Sequence, residues 1–173
     1  MSRDPSETGG SPIELSQHYQ GASTLMVLTE EWSRYPLPAA IPCTFQGLEG
    51  EYVALLDTGS QFCLIPPGIA SQLDLNPHSE PRERISTRFG VIEGACHPHS
   101  IRIRALGGQD LELEARWVVS AEWLGPVVLG WIGFLESIVF GCNPGATSEE
   151  EGRFYFALLS EPAVGVDAEL RYP

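Results

Sequence analysis

One stretch of this sequence has residue types that could do chemistry by themselves, and it reads Leu55, Leu56, Asp57, Thr58, Gly59, Ser60. A carboxylate placed at the end of an apolar run is costly unless it has a function. Gly59 permits a sharp turn, and the Thr58 hydroxyl can tie that turn down. Two such carboxylates that share one proton can activate a water molecule for the hydrolysis of an amide bond.

The same residues could instead form an ordinary turn, because Asp and Gly both favour turns. The flanking segments favour a functional loop. Apolar runs at residues 52–56 and 62–66 enclose Asp57, and a later apolar segment ends in glycine: Val127, Val128, Leu129, Gly130. Over residues 38–141 the chain resembles the retropepsin-like (retroviral-type) aspartic proteases, in their cellular or bacterial form.

This resemblance implies an all-β domain, a retropepsin-like half-barrel with one short helix, whose closed active site is formed by a homodimer. It implies Asp57 as the catalytic residue, with Thr58, Gly59 and Ser60 supporting its loop. The family's apolar-apolar-Gly segment, which crosses that loop, corresponds to Val128, Leu129 and Gly130. A flap over the substrate corresponds to Phe89, Gly90, Val91, Ile92, Glu93 and Gly94, where the two glycines would free the tip.

The length of the chain decides how the site is completed. With 173 residues and one Asp-Thr-Gly, the chain is long enough for one domain and too short for two lobes. A second Asp57 must then come from another copy, which requires an isologous homodimer. We expect hydrolysis of internal bonds in a peptide or protein substrate, without a metal, a cofactor or a covalent intermediate.

Two other interpretations stay open at this point. The fold could serve a non-catalytic dimeric module that binds peptides or acts as a scaffold, because a fold does not imply an activity. The third interpretation is an unrelated β-domain with an accidental Asp-Thr-Gly turn. The intact sequence of Asp57, Thr58 and Gly59 favours the enzyme over both.

The chain departs from the family pattern at two positions. Retroviral members usually carry an arginine after the later glycine and an aspartate two residues past Asp-Thr-Gly, and these side chains pair. Here the positions hold Trp131 and Gln61. Since both partners are replaced, we expect another brace for the loop, with Trp131 packed under the dimer interface and its N–H bonded. We also expect the Ser60 hydroxyl to donate to the Asp57 carboxylate and favour an acidic optimum.

Composition limits which binding partners and which cellular location we expect for this protein. The net charge is -13, the pI is near 4.6 and all ten basic residues are arginine, so nucleic acid is not expected as a partner. Residues 124–141 are apolar but are interrupted by Pro, Gly and Glu, which argues against a membrane span. Four widely spaced cysteines and the lack of a signal-type apolar segment favour free thiols and a cytoplasmic location.

The remaining patterns place the elements along the chain. We expect a polar leader at 1–22, a strand and linker at 23–37, the protease-like domain at 38–160 and a tail at 161–173. Within the domain, the patterns predict a hairpin at 41–45 and 52–56, helical turns at 66–73 and 132–136, a Gly-Gly turn at 107–108, and a last strand at 153–159 available for dimer pairing. Ile101 and Ile103 alternate with Arg102 and Arg104, as on a half-buried strand.

A separate cluster, Cys96, His97 and His99, has the residue types of a zinc site. On an extended strand the two histidines share a face, and Cys96 points to the other. Without a bend, the three side chains could not converge on one ion. We therefore expect no metal site and interpret the histidines as exposed residues of the strand that follows the flap.

Overall fold

The computed structural model describes residues 19–27, 39–87, 90–144 and 152–159, and the statements below concern those residues. The strands are β1 Gly21–Val27, β2 Ala39–Phe45, β3 Tyr52–Leu56, β4 Cys63–Ile65, β5 Arg82–Thr87, β6 Gly90–Ile103, β7 Gly107–Gly108, β8 Leu111–Val119, β9 Val127–Leu129, β10 Ile138–Asn143 and β11 Gly152–Leu158. One helix, α1 Pro67–Gln72, and a 3-10 helix, Leu135–Ser137, complete the described elements. The all-β class is confirmed.

The strands form a single sheet that closes on itself. Its order is β10-β11-β1-β2-β3-β9-β4-β8-β6-β5, and a further pairing of β2 with β6 closes six strands into a small barrel. The closing pairs are Thr44 with Arg102 and Phe45 with Ile101. β3 with β9 and β4 with β8 are parallel pairs. The barrel is thus closed within one chain, whereas the sequence had indicated a half-barrel.

Alternating side chains fill the barrel. On β6, Ile101 and Ile103 are buried while Arg102 is exposed, as the alternation predicted. Trp117 on β8 is fully buried beside Phe45, and its Nε1 donates to the His99 carbonyl at 3.1 Å. We call this interior the barrel core.

A second apolar group lies on the outer side of the barrel wall. Leu64 and Val128 alternate with neighbours that belong to the barrel core, so their side chains point to the opposite face. The hairpin of β5 and β6 covers this face. We call the group the outer cluster, and its members are Leu64, Ile85, Ile92, Val118, Trp123 and Val128.

Strands β10, β11 and β1 extend the sheet beyond the barrel. β11 was predicted correctly as a strand, but it pairs with β10 on one side and β1 on the other. Its predicted role in dimer pairing is therefore wrong, because both of its edges are occupied within the chain. β1 already begins at Gly21, inside the predicted leader, while most of that leader and the whole predicted tail lie outside the described residues.

Several local predictions are confirmed or corrected. The hairpin of β2 and β3 and the helical turn α1 lie where they were expected. The second helical turn is the 3-10 helix, which lies slightly later than the predicted 132–136. Gly107 and Gly108 form the short strand β7 against β1, and a Cβ at Gly108 would lie 2.3 Å from the Gln20 carbonyl oxygen. That close approach explains the glycine there.

The cysteines are free, as expected, with Cys43, Cys63 and Cys96 buried and Cys142 exposed. Burial raises the pKa of the Cys43 thiol to about 12. In the part of the chain that the structure describes, no helix is both long enough and apolar enough to cross a membrane.

Candidate active site

The Asp57 loop begins where β3 ends. β3 and β9 are parallel, and their ladder continues one residue further because the Asp57 N–H donates to the Leu129 carbonyl at 3.1 Å. The chain then turns, and the Ser60 N–H donates to the Asp57 carbonyl at 3.0 Å. This turn leaves Asp57 and Thr58 exposed where β3 ends beside the fully buried strand β9.

The Asp57 carboxylate is held on one oxygen. Its Oδ1 accepts a hydrogen bond from the Gly59 N–H at 2.9 Å. Within the described ranges this is the one hydrogen bond that the carboxylate accepts, and Oδ2 has no hydrogen-bond partner there. A Cβ on Gly59 would lie 3.2 Å from Oδ1, tighter than an ordinary contact, which explains why glycine suits the position.

The apolar-apolar-Gly segment crosses this loop at very short range. A Cβ at Gly130 would lie 2.3 Å from the Phe62 carbonyl oxygen and 2.8 Å from that of Ser60. No side chain fits there without displacing backbone. The structure therefore brings the Asp57 loop together with the segment that ends in Gly130, as predicted; the catalytic role of these residues stays a prediction.

Main-chain hydrogen bonds after Gly130 hold the same loop. The Trp131 N–H donates to the Ser60 carbonyl at 3.0 Å, and the Ile132 N–H donates to the Gln61 carbonyl at 2.8 Å. The Trp131 side chain is 45% exposed, and its Nε1 donates to the Thr58 carbonyl at 2.7 Å. The expected alternative brace thus exists, and the indole has the partner that it needed.

The Ser60 hydroxyl does not reach the carboxylate. Its Oγ donates to the Phe62 carbonyl at 2.7 Å. The prediction that Ser60 donates to Asp57 is therefore wrong, because the turn directs this side chain along the backbone towards residue 62. Sequence reasoning did not assign Phe62 a part in the loop, since its contribution is a main-chain carbonyl that any residue could supply.

Cys63 lies beneath the loop. Its thiol is fully buried and is positioned to donate to the Ile132 carbonyl, with the sulfur 3.6 Å from that oxygen. Burial, the largest cause, raises the pKa of this thiol to about 12, so it stays protonated at neutral pH. A neutral, inaccessible thiol is a poor nucleophile, so we assign Cys63 a packing role under the loop.

The predicted flap belongs to the hairpin of β5 and β6. Ile92 points inward to the outer cluster, Val91 is exposed, and Glu93 lies outward, 3.6 Å from Arg82. Glu93 lies opposite Arg84 in the ladder, so it is part of the strand pair rather than of the turn at its end. Phe89 lies outside the described residues.

The two glycines of the predicted flap, Gly90 and Gly94, are required for different reasons. Gly90 has φ +125°, a backbone conformation that other residues rarely adopt. A Cβ at Gly94, in contrast, would lie 2.5 Å from the Val119 carbonyl oxygen. The prediction that both glycines free the tip is therefore wrong for Gly94, which permits close packing of the hairpin on β8.

The two histidines of the Cys-His-Pro-His sequence bind backbone carbonyls. Nε2 of His97 lies 2.8 Å from the Asn76 carbonyl oxygen, and Nε2 of His99 lies 2.9 Å from that of Gln46. Both rings are half-buried rather than exposed, while Cys96 is buried. Across residues 19–27, 39–87, 90–144 and 152–159, no three His, Cys, Asp or Glu side chains are grouped as metal ligands would be.

Comparisons with known proteins add little to this geometry. No protein-family model matches the chain, and no curated protein matches it. Among solved structures, it is similar to the crystal structure of the retroviral protease-like domain of Ddi1 from Leishmania major. The TM-score is 0.33 and the identity 13%, over 54% of this chain and 71% of that one. At this level, the similarity by itself assigns neither a fold nor an activity to the chain.

Proposed function

We propose that this protein is an aspartic endopeptidase that acts as a homodimer, with Asp57 of each copy forming the catalytic pair. The observation that supports this proposal most is the way in which the Asp57 carboxylate is held. It is exposed, one oxygen is held by Gly59, the other is open, and its loop is fixed by the segment at Gly130. A fixed carboxylate with one open oxygen can face a second carboxylate across a two-fold axis.

The second copy is needed because each chain supplies a single Asp-Thr-Gly. Two carboxylates held close together cannot both ionise easily, so the pair retains one proton over a range of pH. Exposure of Asp57, Thr58 and Gly59 leaves room for a partner at this edge of the barrel.

The shared proton supports a direct attack by water. The ionised carboxylate accepts a proton from the water as its oxygen attacks the peptide carbonyl carbon, while the protonated carboxylate donates to the carbonyl oxygen. A tetrahedral diol forms. When the C–N bond breaks, the leaving nitrogen takes up a proton from one carboxyl group and a diol hydroxyl returns a proton to the other carboxylate. The carboxylic acid and amine products depart, and the pair again holds one proton. The proposed reaction uses no metal, cofactor or covalent intermediate.

In this proposal the hairpin of β5 and β6 is the cover of the site, and the substrate is a peptide or protein segment bound between it and the Asp57 loop. Ile85 and Ile92 pack the outer part of the hairpin, beyond the pairing of β6 with β8 that begins at Ala95, against the outer cluster. Such apolar contacts can open and close more readily than a hydrogen-bonded strand pair. We place the protein in the cytoplasm, in keeping with its free thiols.

The test compares the wild-type chain with Asp57→Asn on a diverse set of unstructured peptides and on casein between pH 3 and 7. Asn keeps the shape of the side chain but cannot share the proton, so we expect cleavage to fall by at least about a thousandfold, as for a residue of the reacting pair. Sedimentation should show a dimer for both proteins. A wild-type dimer that binds peptides but never cleaves them, or an Asp57→Asn protein with near-normal turnover, would contradict the proposal.

A further inference from the structure

Trp131 contacts the Asp57 loop twice. Its main-chain N–H donates to the Ser60 carbonyl at 3.0 Å, and its indole Nε1 donates to the Thr58 carbonyl at 2.7 Å. These two carbonyls lie on either side of Gly59, whose own N–H binds the carboxylate. One residue therefore fixes the backbone both before and after the glycine that holds Asp57.

The Thr58 carbonyl and the Gly59 N–H belong to the same peptide unit. A peptide unit is planar, and in its trans form the C=O and N–H point in opposite directions. Fixing the direction of the carbonyl therefore fixes the direction of the N–H. The hydrogen bond from Trp131 thus determines where the Gly59 N–H points, and that N–H meets Asp57 Oδ1 at 2.9 Å.

The main chain of Trp131 is itself held by the turn that follows it. The Trp131 carbonyl accepts hydrogen bonds from the N–H groups of Phe134 at 3.3 Å and Glu136 at 3.1 Å. The Glu136 carboxylate in turn accepts the Gly133 N–H at 2.8 Å. Because the turn after Trp131 is held by its own hydrogen bonds, the residue can act as a fixed point rather than follow the loop.

We propose that Trp131 is a positioning residue that orients the Asp57 carboxylate through the Thr58–Gly59 peptide unit. The effect on catalysis rests on the proposed function, whereas the effect on the loop does not. In a chain of hydrogen bonds, each bond strengthens the next, so the indole also increases the donor strength of the Gly59 N–H. The brace from Trp131 to the Thr58 carbonyl is uncharged, unlike an arginine–aspartate pair at positions 131 and 61.

The test uses Trp131→Phe, which keeps an aromatic ring and removes the N–H donor, and Trp117→Phe as the matched control. Trp117 makes a similar indole hydrogen bond, to the His99 carbonyl at 3.1 Å, but lies in the barrel core. Exchange of the Gly59 amide proton is followed by NMR in each full-length protein. We expect exchange about fivefold faster in Trp131→Phe, the effect of one lost neutral hydrogen bond, and no change in Trp117→Phe.

Steady-state kinetics on a cleaved peptide supply the second measurement, at protein concentrations where sedimentation shows the dimer. We expect kcat to fall about fivefold in Trp131→Phe with KM within about twofold of wild type. Replacing Trp131 by its benzothiophene analogue, which keeps both rings and lacks the N–H, should reproduce both effects. Unchanged Gly59 exchange would overturn the proposal, even for a chain that cleaves nothing. Faster exchange with unchanged kcat in an active enzyme would overturn it too.

Discussion

The Asp57 loop and the hairpin of β5 and β6 lie next to the same strands but are attached in different ways. The loop is exposed, yet main-chain hydrogen bonds from residues 129–132 hold it at Asp57, Ser60 and Gln61. In β6, pairing with β8 begins at Ala95, so residues 90–94 have β5 as their one strand partner among the described residues. Apolar side chains of the outer cluster attach this part of the hairpin to the barrel.

The two kinds of attachment give the loop and the hairpin different mechanical properties. Hydrogen bonds are directional and hold the atoms of the loop in one arrangement. Apolar contacts are not directional, and the hairpin can leave the outer cluster without stranding a buried donor or acceptor. We therefore expect the part that would do chemistry to stay fixed and the part that would cover it to move more easily. Three substitutions test the two halves of this comparison.

We expect the largest effect on stability from a substitution at Gly130, which lies against the Asp57 loop. Gly130→Ala places a Cβ 2.3 Å from the Phe62 carbonyl oxygen, so backbone must move. We expect the free energy of unfolding to fall by about 3 kcal/mol, measured by urea denaturation, with loss of any peptidase activity. The control is Gly68→Ala, at a helical position where a Cβ meets nothing within 4 Å. A Gly130→Ala protein as stable as Gly68→Ala would show that the close crossing is not required.

In the hairpin, we expect an effect of intermediate size from a substitution at Ile92. Ile92→Ala removes apolar contacts from the outer cluster, which weakens attachment of the hairpin by about 2 kcal/mol. Amide exchange should become faster in residues 90–94 and stay unchanged in residues 57–61. Val91→Ala, at an exposed neighbour on the opposite face, is the control and should leave both segments unchanged. If both segments exchanged faster in Ile92→Ala, the two regions would not be independent.

The smallest effect is expected at Ser60. Ser60→Ala removes the hydrogen bond to the Phe62 carbonyl, and we expect a loss of about 1 kcal/mol in the free energy of unfolding. The alkaline limb of the pH–rate profile should stay in place, because the hydroxyl does not contact the Asp57 carboxylate. Had the hydroxyl donated to the carboxylate, as the sequence indicated, its removal would move this limb upward. An upward shift in the measured profile would show that the hydroxyl turns to the carboxylate in the dimer.

Local patterns were enough to predict many elements of the fold. Alternation located the strand at Ile101 and Ile103, and the apolar run that ends in Gly130 located the segment that crosses the Asp57 loop. These features depend on neighbouring residues, whose periodicity is visible in the sequence. The replacement of an expected arginine by Trp131 also pointed to a different brace for the loop.

Features that depend on distant pairing could not be predicted. Thr44 and Arg102 close the barrel across 58 positions, and nothing in either strand specifies the other. The same holds for β11, whose neighbours β10 and β1 occupy both of its edges. The direction of the Ser60 hydroxyl was missed for another reason: either a carboxylate or a carbonyl can accept its proton, and only the turn geometry decides between them.

A mixing experiment shows whether two copies of Asp57 form one site. Wild-type chains are combined with increasing amounts of Asp57→Asn chains, dissociated by dilution and reassociated, and peptide cleavage is measured per wild-type chain. If each site needs two Asp57 carboxylates, mixed dimers are inactive and the activity per wild-type chain falls in proportion to the wild-type fraction. Reassociation with an equal mass of an unrelated protein is the control. Activity per wild-type chain that stays constant while sedimentation shows mixed dimers would contradict the account.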